Sequence, residues 1–208
     1  MNNLIKRTFS SIILLTLVFY FIIQGSFVTM FFITICFIVA CYEWHAMAKK
    51  KYYKTFGFIF LLISFYTFYE LSIEFVKVFL VILICSLTDI GGYFFGKLFK
   101  GPKLTKISPN KTYAGMFGGY FLSLVCLIII NNFINYSETL VHFCLIIILI
   151  STVSQIGDII ISYFKRLSKI KNTGKLIPGH GGLLDRIDGM IFAFPIYYFV
   201  DLTGYLNT

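Results

Sequence analysis

Residues 155–189, QIGDIIISYFKRLSKIKNTGKLIPGHGGLLDRIDG, hold most of the polar chemistry of this chain and lie between apolar runs. Asp158 is an acid within the first run, and Asp185 and Asp188 open the next one. Between these acids lie five cations: Lys165, Arg166, Lys169, Lys171 and Lys175. Charge of this density is costly beside lipid, so the stretch indicates a functional site.

The composition indicates a membrane protein. Of the 208 residues, 58% are hydrophobic and 19% aromatic, whereas only 13% are charged, which is far from the usage of soluble domains. Apolar runs recur along the whole chain and leave no room for a soluble domain. The sequence therefore predicts an all-α, polytopic integral membrane protein with one transmembrane domain, residues 1–208. Its N-terminal spans would occupy residues 1–74, and its catalytic half residues 75–208.

Apolar length predicts about seven spans, because a helix needs roughly 20 apolar residues to cross a bilayer. No small-residue cleavage site follows Lys6 and Arg7, so we expect the first span to be retained. All five cysteines lie within apolar runs without metal-ligand spacing, which favours a packing role. The spans are expected near residues 9–24, 27–46, 56–71, 75–96, 113–131, 139–163 and 187–205.

The cations predict the orientation. When alternate loops are assigned to one side, that side holds 17 of the 18 Lys and Arg residues, and Lys77 is the exception. By the positive-inside rule, the N-terminus and the three basic loops are cytoplasmic and the C-terminus is outside.

Two acids are predicted at similar depth in the membrane. Asp89 precedes Lys97 by eight residues, and Asp158 precedes Lys165 by seven. At about 1.5 Å per residue, each acid lies roughly 10 to 12 Å below the cytoplasmic end of its helix. They are expected to face one polar cavity, and the alternative is that each pairs with a nearby Lys or Tyr to fix helix packing.

A polar stripe is predicted along the sixth span, because its polar residues recur every three or four positions. Asp185 and Asp188 are three residues apart, so they share a helical face at the start of the seventh span. Asp158 and Asp185 together would suit Mg²⁺, which binds through one or two carboxylates plus substrate phosphates. The stripe consists of Gln155, Asp158, Ser162, Lys165 and Lys169.

Two loops have features that favour phosphate binding. The turn at residues 178–182, PGHGG, allows backbone amides to approach an anion, and His180 suits a phosphate donor, a proton shuttle or a capping residue. In the other basic loop, Ser108 and Pro109 predict a helix start, which would place Lys111 in the first turn. The alternative for this loop is a solvated basic segment.

Residues 162–188 resemble the signature of the phosphatidate cytidylyltransferases, also called CDP-diglyceride synthases. Residues 89–115 resemble the second conserved region of that family. One position departs from the signature, since Asn172 stands where the family usually has an acid. The matching signature positions are Ser162, Phe164, Lys165, Arg166, Lys171, Gly174, Ile177, Pro178, His180, Gly181, Gly182, Leu183, Asp185, Arg186, Ile187 and Asp188.

The resemblance implies that CTP and phosphatidate react to give CDP-diacylglycerol and pyrophosphate, a step of phospholipid biosynthesis. It implies a multi-pass cell membrane protein with a cytoplasmic active site, and Mg²⁺ held by Asp158 and Asp185, with K⁺ as an optional second ion. The implied partners are CTP, phosphatidate and the lipid bilayer; a homodimer is left open, and no nucleic acid is expected.

The chemistry of the residues and the resemblance together predict roles for individual residues. The expected catalytic residues are Asp158, Lys165, Arg166, Asp185, Arg186 and Asp188. The expected substrate-binding residues are Asp89, Ser108, Lys111, Thr112, Ser162, Lys171, His180, Gly181 and Gly182.

Two alternatives stay open at the level of sequence. A CDP-archaeol synthase or a polyprenol kinase would use similar cavity and cation chemistry, although the full signature favours the diacyl substrate. A transporter with Asp89 and Asp158 as a cation or proton relay predicts polar residues across the whole membrane and often an internal repeat. The polar residues here crowd the cytoplasmic half, and no repeat is visible.

Overall fold

The structure, a computed structural model, describes residues 16–105, 107–133, 140–174, 176 and 181–203. The regular structure in these ranges is helical, and an isolated β-bridge joins Lys103 and Thr112. Residues 16–23 are also helical. The helices are α1 (Ser26–Met47), α2 (Lys51–Ser72), α3 (Phe75–Phe99), α4 (Tyr113–Phe133), α5 (Leu140–Leu167), α6 (Leu184–Ile187) and α7 (Met190–Leu202).

Four of these helices are long and apolar enough to cross a membrane, namely α1, α2, α3 and α5. Shorter apolar helices cover Tyr113–Val125 and Met190–Leu202. A helix satisfies its backbone hydrogen bonds internally, which is what a hydrocarbon environment requires. The all-helical membrane class is therefore confirmed, whereas the count of seven spans and the cytoplasmic N-terminus stay predictions. Residues 9–15 of the first predicted span, 9–24, and the preceding Lys6 and Arg7 lie outside the described residues.

The seventh predicted span, residues 187–205, is wrong at its beginning. The chain forms the four-residue helix α6, passes through a turn at Asp188 and Gly189, and then begins α7 at Met190. Asp185 therefore belongs to a separate short helix and does not open the last long one.

The polar stripe on α5 is shorter than predicted, because the helix ends at Leu167. Lys169 has a left-handed backbone, with φ of 58°. Its N–H donates to the carbonyl of Arg166, and the N–H of Ile170 donates to that of Lys165. This is the Schellman arrangement that terminates many helices, with Lys169 at the position that usually holds glycine. Lys169 therefore leaves the stripe, and the helical part ends at Lys165.

The predicted helix start at Ser108 is also wrong. α4 begins at Tyr113, and Thr112 caps it by accepting the N–H of Gly115 at its hydroxyl (3.1 Å). Ser108 instead lies in a turn, where its carbonyl accepts the N–H of Lys111. Lys111 thus directly precedes Thr112, the residue that caps α4.

The chain divides into two compact units, and the first unit comprises Met1–Phe75 and Phe164–Asp188. The second unit comprises Val76–Tyr163 and Gly189–Thr208. The predicted division after residue 74 into N-terminal spans and a catalytic half stays a prediction. A single domain over residues 1–208 stays a prediction.

Aromatic packing joins the signature segment to the N-terminal helices within the first unit. The ring of Phe164 meets Trp44 of α1 edge-on, with centroids 4.9 Å apart, and Tyr53 of α2 at 5.3 Å. The Trp44 indole N–H donates to the carbonyl of Tyr53 (3.0 Å). Ser168 donates to the carbonyl of Met47. These contacts fix the end of α5 on α1 and α2.

Glycines and small polar groups allow close helix packing in the second unit. A Cβ at Gly115 would lie 2.6 Å from the carbonyl oxygen of Gly92, so α3 and α4 approach through glycine. Thr88 of α3 donates to Ser151 of α5 (2.9 Å). Lys77, the exception to the cation count, forms an ion pair with Asp201 at 2.8 Å, which ties the start of α3 to the end of α7.

Candidate active site

Asp185 is the most extensively bonded carboxylate of the signature segment. Its Oδ2 accepts the N–H of Thr173 (2.8 Å) and the N–H of Gly182 (3.0 Å), and the Thr173 hydroxyl, which has a single proton to donate, lies 3.1 Å from it. Its Oδ1 accepts Lys165 Nζ at 2.8 Å. The side chain is only 5% exposed. Both oxygens are therefore held in fixed positions before any substrate binds.

Lys165 connects two of the predicted catalytic acids. Its Nζ lies 2.8 Å from Asp185 Oδ1 and 3.8 Å from Asp188 Oδ2, and the side chain is buried. The turn between α6 and α7 places Asp188 on the same side as Asp185, so both acids meet one cation. The structure thus brings together three of the predicted catalytic residues within the first unit.

The surroundings of Asp185 favour its ionised form. Burial is the largest single influence and by itself raises the pKa of this carboxyl group. The hydrogen bond and charge of Lys165, together with the amides of Gly182 and Thr173, outweigh burial and hold the pKa of Asp185 below its ordinary value. The short helix α6, which holds this residue, lies outside the candidate spans.

Glu43 of α1 is a carboxylate that the sequence interpretation missed. It is 2% exposed, and it accepts the N–H of Leu183 at Oε1 (2.9 Å) and the N–H of Leu184 at Oε2 (2.8 Å). The hydroxyl of Thr173 donates to the same Oε2 (2.9 Å). The sequence did offer one signal for a functional role of Glu43, because this residue is an acid within an apolar run. Its partners, about 140 residues away, could not be read from the sequence.

The glycines of the signature make room for these carboxylates. Gly181 has φ of 103°, and a Cβ there would lie 2.7 Å from Asp185 Oδ2. A Cβ at Gly182 would overlap the hydroxyl of Thr173 and the carboxylate of Glu43. The N–H of Gly182 donates to Asp185. That Gly181 and Gly182 also bind substrate stays a prediction.

Asp158 lies in the second unit, where Lys111 is its ion-pair partner, with Nζ 2.5 Å from Oδ2. Ser162, one turn further along α5, donates to Oδ1 at 3.3 Å. The side chains of Lys111 and Asp158 are 24% and 29% exposed. Lys111 belongs to the basic loop before α4, so this loop supplies the cation for Asp158. Pairing with a nearby lysine was the alternative that the sequence left open for this acid.

The remaining predicted residues have more open positions. Asp89 lies on α3 with an exposed side chain, and the cavity that it was predicted to share with Asp158 stays a prediction. Arg166 and Lys171 are exposed, and Arg186 is half-buried on α6. Four residues that the sequence analysis named lie outside the described residues: Lys175, Ile177, Pro178 and His180.

The acids have the chemistry of magnesium ligands, although they do not form a larger metal cluster. In the described part of the chain, no group of three or more His, Cys, Asp or Glu side chains is arranged to hold a metal ion. Mg²⁺ does not require such a group, because one or two carboxylates with substrate phosphates suffice. Asp158 and Asp185 each offer a carboxylate beside a lysine in their own units. The joint site stays a prediction.

Comparison with known proteins identifies the family. The sequence model of the cytidylyltransferase family matches residues 71–203, and the chain belongs to this family. The family resemblance of the signature is thereby confirmed.

Relatives named phosphatidate cytidylyltransferase are similar to this chain. The Staphylococcus epidermidis protein is 40% identical over 136 residues, which are 64% of this chain and 52% of the relative. The Staphylococcus haemolyticus protein is 41% identical over 115 residues, 55% of this chain and 44% of the relative. The Staphylococcus aureus protein is 39% identical over 136 residues, with shares of 64% and 52%. The chain spans about half the length of these relatives.

Proposed function

We propose that this chain is a membrane nucleotidyltransferase that converts CTP and phosphatidate to CDP-diacylglycerol and pyrophosphate. The observation that carries the proposal is the cluster of Lys165, Asp185 and Asp188, which signature residues of the family assemble in the first unit. The relatives named for this activity support the choice of substrate. The apolar helices support a substrate that remains in the bilayer.

The proposed reaction is a substitution at the α-phosphorus of CTP. A phosphate oxygen of phosphatidate forms a bond to this phosphorus, and the bond to the β-phosphate breaks, so that pyrophosphate leaves. Positioning and neutralisation of negative charge account for most of the catalysis in such transfers. The signature cations Lys165, Arg166, Lys171 and Arg186 have the charge for this task.

Magnesium remains the predicted cofactor, with Asp158 and Asp185 as its predicted ligands and K⁺ as an optional second ion. When bound, Mg²⁺ would neutralise charge on the triphosphate. The contribution of the chain itself is to hold each carboxylate in place, through Lys165, Thr173 and Gly182 at Asp185 and through Lys111 and Ser162 at Asp158.

The activity test uses the purified chain in mixed micelles with CTP, phosphatidate and Mg²⁺. The expected products are a CDP-lipid and pyrophosphate in equal amounts, and ATP in place of CTP is the control. A diether lipid phosphate and a polyprenol are supplied in parallel. Preference for the diether lipid would indicate a CDP-archaeol synthase. Formation of CDP and a polyprenyl phosphate would indicate a polyprenol kinase. Either result, or no turnover, would contradict the proposal.

The proposal includes a cytoplasmic active site, supported by the distribution of cations. Single cysteines at Lys51, Lys103 and Lys171, all exposed, test it in a background without the five native cysteines. A membrane-impermeant maleimide should label all three only from the cytoplasmic side. Labelling of any one of them from the outer side alone would contradict the orientation.

A further inference from the structure

Glu43 joins α1 to the segment that contains Asp185. Its three donors are the backbone amides of Leu183 and Leu184 and the hydroxyl of Thr173. Leu183 stands at the start of α6 but offers no side-chain cap, so Glu43 satisfies the amides at that helix end from a distant part of the chain. This carboxylate lies outside residues 71–203, the range that the family model matches.

Thr173 links Glu43 to Asp185 directly. Its hydroxyl lies 2.9 Å from Glu43 Oε2 and 3.1 Å from Asp185 Oδ2, while its own N–H donates to Asp185. A shift of Glu43 would therefore displace a residue that makes two contacts to Asp185. Asp185 in turn fixes the position of Lys165.

The surrounding glycines show that the backbone closes tightly on Glu43. A Cβ at Gly174 would lie 2.7 Å from Oε1 of Glu43, and one at Gly182 would overlap the same carboxylate. A buried carboxylate is costly unless donors surround it. Thr173, Leu183 and Leu184 supply those donors, so this carboxylate and these three residues hold one another in place.

We propose that Glu43 is a positioning residue for the transfer reaction, which holds Thr173 and the start of α6 so that Asp185 is fixed against Lys165. The catalytic part of this inference rests on the proposed function. It extends the site beyond the family-matched region to the N-terminal helix α1. Glu43 does not touch substrate in this role and acts through Asp185.

The test variant is Glu43→Gln, which preserves size but has one acceptor oxygen instead of two. Either the Leu183 or the Leu184 amide would then face an NH₂ group. Glu74→Gln is the matched control, since it makes the same chemical change at an exposed glutamate between α2 and α3. Thr173→Val is the second variant, because it removes the linking hydroxyl with little change of shape.

The first measurement is amide hydrogen exchange of the peptides that contain Leu183 and Leu184, and it does not depend on activity. We expect exchange to accelerate about 10-fold or more in Glu43→Gln, and less in Thr173→Val, because buried hydrogen bonds are lost. Exchange in Glu74→Gln should match the wild type. Unchanged exchange in Glu43→Gln would overturn the proposal, and if that variant does not fold, Thr173→Val decides in the same way.

The second measurement separates kcat from KM with CTP and phosphatidate. We expect Glu43→Gln to lower kcat about 10- to 100-fold, the usual effect of removing a group that orients a catalytic carboxylate. KM for both substrates should stay within about threefold, because Glu43 touches neither. A kcat that falls only in proportion to the folded fraction would reveal a purely structural role and overturn the proposal, as would an unchanged kcat.

The two measurements distinguish failure of this inference from failure of the proposed function. If the wild type does not turn over CTP and phosphatidate, the proposed function fails together with the catalytic part of the inference. The exchange data then still decide whether Glu43 anchors the segment.

Discussion

Asp185 and Asp158 are both carboxylates beside a lysine, but the two units hold them differently. Asp185 is 5% exposed and accepts hydrogen bonds at both oxygens from Lys165, Thr173 and Gly182. Asp158 is 29% exposed, with Lys111 and Ser162 as its partners. The first arrangement is rigid because most of its donors are backbone groups and short side chains. The second depends on one long lysine, which adapts more easily to a ligand.

The strongest test of this comparison is removal of each charge. Asp158→Asn and Asp185→Asn should each lower turnover at least about 100-fold, and the double variant should be little worse than either single, since residues that act as a unit are non-additive. Turnover is measured against Mg²⁺ concentration, with Glu74→Gln as the control. Losses that multiply would assign the acids to separate steps, and a wild-type rate in either single variant would contradict the magnesium site.

Replacing the lysine of each ion pair, Lys165–Asp185 and Lys111–Asp158, should lower the free energy of unfolding by different amounts. Lys165→Met removes the cation from the buried carboxylate of Asp185, which should cost about 3 to 5 kcal/mol. Lys111→Met removes the cation from Asp158, whose side chain is 29% exposed against 5% for Asp185, so the loss should be smaller than in Lys165→Met. Denaturation of both variants in one detergent measures the difference. Equal losses would show that the two ion pairs are equivalent.

Glycine substitutions test the close packing around Asp185. Gly182→Ala inserts a methyl group against Thr173 and Glu43, and we expect a loss of about 1 to 3 kcal/mol. Gly92→Ala is the control in the second unit, because its Cβ would lie 3.7 Å from the Gly115 carbonyl oxygen, an ordinary contact. Its stability should change little or rise. Comparable losses in the two variants would contradict the role of Gly182 in making room for Glu43.

The smallest effect is expected at Asn172, which replaces an acid of the family signature. Asn172 is exposed, so Asn172→Asp should leave turnover unchanged or raise it, and Asn172→Ala should cause only a modest loss. Turnover of both variants is measured under the conditions used for Asp185→Asn. A loss in Asn172→Asp as large as that in Asp185→Asn would show that the rigid region tolerates no added charge.

Helix positions were predictable because long apolar runs leave few alternatives to a helix in a bilayer. The predicted spans 27–46, 75–96 and 113–131 end within a few residues of α1, α3 and α4. Predictions of helix ends from local residue types were less reliable than predictions of spans from apolar length. Ser108 has the residue type of a cap, but Thr112 performs that function, since the bridge between Lys103 and Thr112 fixes where the loop ends.

Some of the site could be predicted, because spacing alone placed Asp185 and Asp188 on one side, where they share Lys165. The hydrogen bonds of Glu43 could not be predicted, since they join residues about 140 positions apart. Lys169 was assigned to the polar stripe because its spacing continues the helical period. The spacing of polar residues does not show where a helix ends. The left-handed position that ends α5 usually holds glycine, and the lysine found there gave no such signal in the sequence.

The ion pair of Lys77 and Asp201 connects positions 124 residues apart, close to the two ends of the family-matched range 71–203. It therefore closes that range into a loop. Closure entropy grows only with the logarithm of loop length, so bringing these distant positions together in the folded chain costs little more than closing a much shorter loop. Ends that meet in this way are also the condition under which a chain tolerates circular permutation. Lys77 and Asp201, near the two ends of the family-matched range, thus lie side by side in the second unit.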